Sequence, residues 1–255
     1  MRHIYCSIPA AVLVVVVSGL AQAAVVDDFN DNSRDALIWD YQADGNRALT
    51  EIDQRLEYTS LAPAEPGGNE AGYILRALQP FGTPWTVTID VHVDAYSSAS
   101  AQEHAYGIAI GVMNAADEQD SVWFGLERGW NNDYYAQWFF CKETDNVDVS
   151  FSSSSATGSD GTLELEWDGS SFYAGYDEGS GNQSLGSFAV SDWNQGAGST
   201  FTVLIAGYDD DCDFGLTDGT KMYADNFEII PEPTVLLLLA TGGLTLVRRR
   251  SPSAR

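Results

Sequence analysis

Carboxylates at strand spacing are the first groups in this sequence that can do chemistry. Glu51 and Asp53 stand two residues apart, with Glu57 further on, and Glu164 and Glu166 repeat the spacing. Alternate residues of a strand share a face. Two carboxyls about 5–5.5 Å apart suffice for a retaining hydrolysis. The Glu51–Glu57 segment reads instead as a turn and strand leading into Arg55–Thr59. Glu164 and Glu166 face away from Leu163, Leu165 and Trp167, so the apolar set reads as core and the glutamates as solvated. No catalytic residue is assigned.

Metal chemistry has one plausible seat. Two histidines, His92 and His104, remain after the N-terminal segment, each without a paired ligand, so zinc is not expected. Calcium takes about 6–8 oxygens from carboxylates and carbonyls. Asp27 and Asp28 open the first strand, and Asp225 and Asn226 sit in the last. They converge on a Ca2+ if the terminal strands are neighbours. Capping and turn formation explain the same residue types. A second acidic run, Asp209-Asp210-Asp211 with Asp213, reads as an exposed hairpin end.

Aromatic and amide side chains gather in one stretch: Trp123, Trp130, Asn131, Asn132, Asp133, Tyr134, Tyr135 and Trp138. Sugars are held by aromatic faces on their C–H surfaces and by amides and carboxylates on their hydroxyls. Trp130–Asp133 reads as a loop between two strands, with Tyr135 beside it, and Trp123 and Trp138 read as core. One anchoring Trp in a turn is the plainer reading. Cys141 and Cys212 are left as a pair in an exported chain, where a disulfide can persist. Two buried thiols are the alternative.

The elements that must position these groups are strands. In Trp85–Val93 the odd positions are Trp, Val, Ile, Val and Val, and the even ones Thr, Thr, Asp and His. That alternation is the mark of a half-buried strand. Other strands are expected at Val25–Phe29, Arg55–Thr59, Gly72–Leu78, Tyr106–Met113, Ser121–Glu127, Tyr134–Phe140, Val147–Phe151, Leu163–Trp167, Ser171–Tyr176, Leu185–Val190, Phe201–Tyr208 and Met222–Ile229. Asp168-Gly169 predicts a hairpin. Ser152–Gly161, rich in Ser and Gly, reads as an exposed loop. Many short strands with such turns indicate an all-β protein, a two-sheet antiparallel β-sandwich.

Both ends carry addresses. Met1–Ala23 has Arg2, an apolar stretch Ile8–Leu20 and Ala21-Gln22-Ala23, the form of a cleavable signal peptide. The domain then runs over 24–230. It holds seven basic against 36 acidic residues, a surface that repels phosphate backbones, so no nucleic-acid partner is expected. Residues 231–255 read Pro231-Glu232-Pro233, an apolar run Val235–Val247 expected as a short helix, then Arg248-Arg249-Arg250. The run is short against the roughly 20 residues that span a bilayer, and the Arg cluster favours the cytoplasmic side.

The tail closely resembles the PEP-CTERM sorting signal. The resemblance implies an exosortase-type processing partner and transient anchoring in the inner membrane. It also implies a final place at the cell surface or in the extracellular matrix. The domain resembles the concanavalin A-like or laminin-G-like jelly rolls. Asp27-Asp28-Phe29-Asn30-Asp31, Arg55-Leu56-Glu57-Tyr58, Leu163–Gly169 and Tyr223–Phe227 carry that likeness. It implies lectins, adhesion modules or glycan hydrolases, and a structural calcium near the terminal strands. Some jelly-roll glucanases carry Glu-x-Asp-x-Glu or Glu-x-Asp-x-x-Glu on one strand; Glu51–Glu57 is one residue too long for it. A non-catalytic protein bound to extracellular polysaccharide is therefore expected. A secreted glycan hydrolase or lyase is the rival.

Overall fold

The computed structural model describes residues 24–43, 47–60, 68–95, 104–130, 134–145, 147–193, 198–210 and 220–231. The strands in chain order are β1 (Val25–Asp27), β2 (Trp39–Ala43), β3 (Arg47–Ile52), β4 (Arg55–Ser60), β5 (Gly68–Leu75) and β6 (Gln79–Pro80). They continue with β7 (Trp85–Val93), β8 (His104–Asn114), β9 (Asp117–Trp130), β10 (Tyr134–Thr144) and β11 (Val147–Ser155). The last are β12 (Asp160–Trp167), β13 (Ser171–Asp177), β14 (Gln183–Ala189), β15 (Thr200–Asp210) and β16 (Met222–Pro231). The signal segment, Glu232, Pro233, the apolar run and Arg248–Arg250 lie outside the described residues.

The strands form two antiparallel sheets. The first runs β14-β13-β12-β7-β16-β4-β3, with β1 beside β16. The second runs β11-β10-β9-β8-β15-β5-β2, with β6 beside β15. The sheets close face to face as a jelly-roll β-sandwich. β7 shows why. Trp85, Val87, Ile89, Val91 and Val93 are buried, and the residues between them are half-exposed. Burying an apolar side chain of this size stabilises by roughly 1.5–3 kcal/mol, and alternation lets a strand do so on one face alone. At one end of the core Phe81, Trp85, Trp167, Phe172 and Phe201 interlock, with Phe81 stacked on Phe201 at 3.7 Å.

Turns fix the register. Ile52 pairs with Arg55, leaving a two-residue turn in which Asp53 and Gln54 have φ of 53° and 63°. Both positive values match the twist of a tight hairpin, and Asn32 Oδ1 accepts the Gln54 amide at 2.9 Å. Trp167 pairs with Phe172 across the expected Asp168-Gly169 turn, with Gly169 at φ 99°.

Three expectations are corrected. Ser152–Gly161 is mostly strand, not loop, because the even serines of β11 meet partners in the opposite sheet. Ser152 Oγ donates to the Leu185 carbonyl at 2.6 Å, and the Tyr176 hydroxyl donates to Ser154 Oγ at 2.9 Å. Asp209 is not at an exposed hairpin end. It is fully buried and holds Arg47 Nε at 2.6 Å and the Tyr58 hydroxyl at 2.8 Å. Strands β2, β3 and β6 fall outside the expected set, and β3 turns Arg47 and Glu51 inward, which inverts its apparent alternation.

Candidate functional site

The outward face of the second sheet is built from small residues. In β8 Ala105, Gly107, Ala109 and Gly111 alternate with the core residues Tyr106, Ile108, Ile110 and Val112. In β9 Gly125 and Gly129 take the same face. Register then lines up one row across the strands: Gly72, Ala206, Ala109, Gly125 and Phe139. Gly72, Ala206, Ala109 and Gly125 are the floor of a trough running across the strands, and Phe139, packed on Tyr208, closes it at β10.

Larger side chains form its walls. The row on one side is Glu70, Tyr208, Gly107, Glu127 and Gln137. The row on the other is Ile74, Leu204, Gly111, Trp123 and Cys141. Glycine is needed in both walls. A Cβ on Gly111 would lie 2.6 Å from the Trp123 ring, and one on Gly107 would lie 2.8 Å from the Tyr208 hydroxyl. The wall side chains are locked. Glu127 Oε1 accepts from Gln137 Nε2 at 2.9 Å, and Oε2 accepts from the Tyr208 hydroxyl at 2.8 Å. Burial first, then the Glu127 carboxylate, holds the Tyr208 phenol well above its ordinary range. Trp123 Nε1 donates to Ser121 Oγ at 2.9 Å, and that hydroxyl donates to Glu143 Oε2 at 2.6 Å. A hollow of about 210 Å³ opens over Gly72 and Ala206, bounded by Trp123, Glu70 and Gln42.

Trp123 is thus half-buried on the outward face rather than core, because it falls in the register of the outward residues of β9. Trp138 is core as expected, and its indole donates to Glu178 at 2.7 Å. Tyr135 is half-buried on β10, two residues from Gln137 and one row beyond the polar wall. Trp130 ends β9 at the same edge, and Asn131, Asn132 and Asp133 lie outside the described residues. Cys141 is half-buried on β10, and Cys212 lies outside the described residues. Glu70, Glu127, Gln137 and Tyr208 were not singled out from the sequence. The signal for them was the Ala-x-Gly-x-Ala-x-Gly run of β8, which leaves one face without side chains.

The acids of the first sheet fall elsewhere. The terminal strands are neighbours, as expected, with Asp27 opposite Phe227. Asp27 is engaged by the Trp39 indole at 2.7 Å and the Phe29 amide at 2.9 Å. Asp225 and Asn226 line an outward depression of about 410 Å³ with Asp90, Asp160, Thr162 and Tyr223. Asn226 Nδ2 donates to Asp90 at 2.8 Å. Burial raises the Asp225 pKa, and the Asp90 and Asp28 charges add to that. Among the described residues no group of three acidic, His or Cys side chains is arranged to hold a metal ion. Glu51, Asp53 and Glu57 do not converge: Asp53 is in the turn, and Glu57 pairs with Arg55 and Lys221. Glu164 is on the outer face, where Asn182 Nδ2 donates to it at 2.9 Å. Glu166 lies on the same outer face, beside Tyr173.

No protein-family model matches the chain, and no curated protein matches it. Solved structures do. The GH43 protein BlXynB from Bacillus licheniformis matches at 12% identity and TM-score 0.53, over 81% of this chain and 39% of that one. The chain therefore spans about two fifths of that protein's length. A glycoside hydrolase family protein from Mycobacterium thermorestibile matches at 14% identity and TM-score 0.50, over 81% of this chain and 99% of that one. The exoplasmic/lumenal domain of VIP36, in its Ca2+/Man2-bound form, matches at 10% identity and TM-score 0.50, over 82% and 87%. At these identities the likeness is one of fold: the chain is a β-sandwich of the kind that these proteins contain.

Proposed function

We propose that this is an exported, non-catalytic protein of the cell surface or extracellular matrix that binds polysaccharide along the trough of the second sheet. The observation that carries the reading is the small-residue floor between an aromatic wall at Trp123 and a polar wall at Glu127, Gln137 and Tyr208. An aromatic face beside fixed acceptors suits a sugar ring. Of the residues that the sequence singles out, Tyr135 lies one row beyond the polar wall on the same face. The walls are acidic, through Glu70 and Glu127, so neutral or amino sugars are favoured over uronates. The Ca2+/Man2-bound VIP36 neighbour supports the binding reading, and the glycoside hydrolase neighbours support a carbohydrate ligand of either kind.

The rival is a glycan hydrolase or lyase on the same face. Backbone spacing argues against it. Glu70 and Glu127 are three strands apart, roughly 14 Å, and Glu127 and Glu143 are about 20 Å apart along the strands. Paired catalytic carboxyls sit at about 5–9.5 Å. Structural calcium is part of the proposal as a support for the β1–β16–β7 face. The Asp90 and Asp28 charges both bear on Asp225 there, and a divalent cation would offset them.

The test is a glycan array probed with the purified protein, with calcium and then with a chelator. Binding to a narrow set of neutral glycans that falls at least tenfold in Trp123→Ala and Glu127→Gln is expected. Loss of binding in chelator would assign the cation. Release of reducing ends that Glu127→Gln abolishes would establish the enzyme instead. Absence of both binding and turnover would leave the trough without a ligand and sink the reading.

A further inference from the structure

The hollow over Gly72 and Ala206 has two chemically different sides. Ile74, Leu204, Met113 and Trp123 form one of them. All four face outward. Ile74 lies between the core residues Tyr73 and Leu75, and register carries its row to Leu204, Gly111 and Trp123. Met113 stands two residues beyond Gly111 on the same face of β8. The solvent side of an antiparallel sheet is ordinarily polar. Here three aliphatic side chains and an indole meet on it, and Leu204 is only 7% exposed. Gln42, Glu70 and Glu118 form the other side. Among the described residues no Lys or Arg lines the hollow.

The floor keeps it open. A Cβ on Gly72 would lie 3.4 Å from the Ile205 carbonyl oxygen and 3.8 Å from Leu204 Cδ1. The backbone there accepts a side chain, and a large one would fill the space. Glycine at this position leaves about 210 Å³ free.

The two sides together select a chemical group. A plain hexose carries hydroxyls round its edge. One turned toward Ile74, Leu204 and Met113 would lose water and gain no partner. A methyl group would gain by burial there. A carboxylate or phosphate would be repelled by Glu70 and Glu118. A free ammonium would suit those acids but would gain nothing from the aliphatic side. An amide that ends in a methyl suits both sides. Its N–H can donate to a carboxylate, its C=O can accept from the Gln42 amide, and its methyl can meet the aliphatic side chains.

We propose, resting on the trough as a glycan site, that the hollow receives the acetamido group of an N-acetylhexosamine. Its methyl lies against Ile74, Leu204 and Met113, and its N–H is directed to Glu70 or Glu118. The trough then reads a neutral glycan by one substituent on one ring, and Trp123 borders both the ring and the substituent.

Isothermal titration calorimetry on the purified protein decides the matter. The probes are matched oligosaccharides that differ only in a 2-hydroxyl, 2-acetamido or 2-amino group, in the gluco and galacto series. The acetamido member of one series should bind about tenfold tighter than its hydroxyl counterpart, or more. Gly72→Val, which fills the hollow, and Met113→Gln, which makes its aliphatic side polar, should each bring that ratio near one. Their far-ultraviolet circular dichroism should match the wild type, and if Gly72→Val misfolds, Met113→Gln carries the test. Glycan binding with equal affinity across each series would overturn the acetamido assignment and leave the trough reading standing. Tightest binding of the 2-amino member would overturn it too, and would assign the hollow to a charge held by Glu70 and Glu118. A preference that survives both substitutions would place the acetamido group elsewhere and overturn the assignment. Absence of binding to every glycan on the array and to these probes would sink both.

Discussion

Glu51 shows what a single misplaced charge costs this fold. Its Oε2 accepts the Ser33 amide at 3.0 Å, and its Oε1 is buried with no partner. Burial, with the Asp27 and Asp31 charges adding to it, pushes its pKa up from 4.5 to about 7. The folded state thus prefers the protonated acid more than the unfolded chain does. Its contribution to stability is complete below about pH 4.5 and is lost as pH rises through about 7. Glu51→Gln keeps the acceptor for Ser33 and removes the ionisation. It should raise stability above pH 7 by roughly 1–3 kcal/mol, leave it nearly unchanged at pH 4, and flatten the pH profile between. Chemical denaturation across that range checks it. An unchanged profile would show that the carboxylate finds solvent or a cation.

Between elements, the decisive contact is the Arg47–Asp209–Tyr58 network. β3 and β4 of the first sheet supply Arg47 and Tyr58, and β15 of the second supplies Asp209. The ion pair is bidentate, with Arg47 Nη2 also reaching Asp209 Oδ1 at 2.9 Å. Both side chains are fully buried. A buried pair adds little over well-packed apolar residues, but removing one partner strands a charge. Asp209→Ala should therefore cost about 3–5 kcal/mol, and Tyr58→Phe nearer 1 kcal/mol. Urea unfolding measures both. Equal small losses would mean that Arg47 escapes to water. Glycine acts at the same scale. Gly125 lets β8 and β9 approach, since a Cβ there would sit 2.4 Å from the Ile108 carbonyl oxygen.

At the scale of the whole molecule the proposal joins an acidic sandwich to two sorting segments. We propose export through 1–23 and anchoring and processing through 231–255, with Pro231, Glu232, Pro233, Arg248, Arg249 and Arg250 as the motif. Truncation after Ile230 should release the protein to the medium and abolish its surface retention. Cell fractionation with an antibody to the domain reads this out. Retention unchanged by the truncation would place the surface address in the sandwich itself. Neither segment touches the trough residues in sequence, so glycan binding by the truncated protein should match that of the whole.

Alternation and turn chemistry are local, and the sequence by itself determined what depends on them: thirteen of the strand positions, the β12–β13 hairpin, the core side of β7, and an all-β sandwich. Faces that mix sizes or charges were not legible, because alternation does not say which face is inward. Arg47 and Glu51 point in and Trp123 points out for reasons that lie in other strands. Arg47 and Asp209 are 162 residues apart, and only the packing of one sheet on the other lets each bury its charge on its partner. The trough is likewise a matter of register. Gly72, Ala109, Gly125 and Ala206 come from four strands, and only their hydrogen-bonded alignment turns four small residues into one floor.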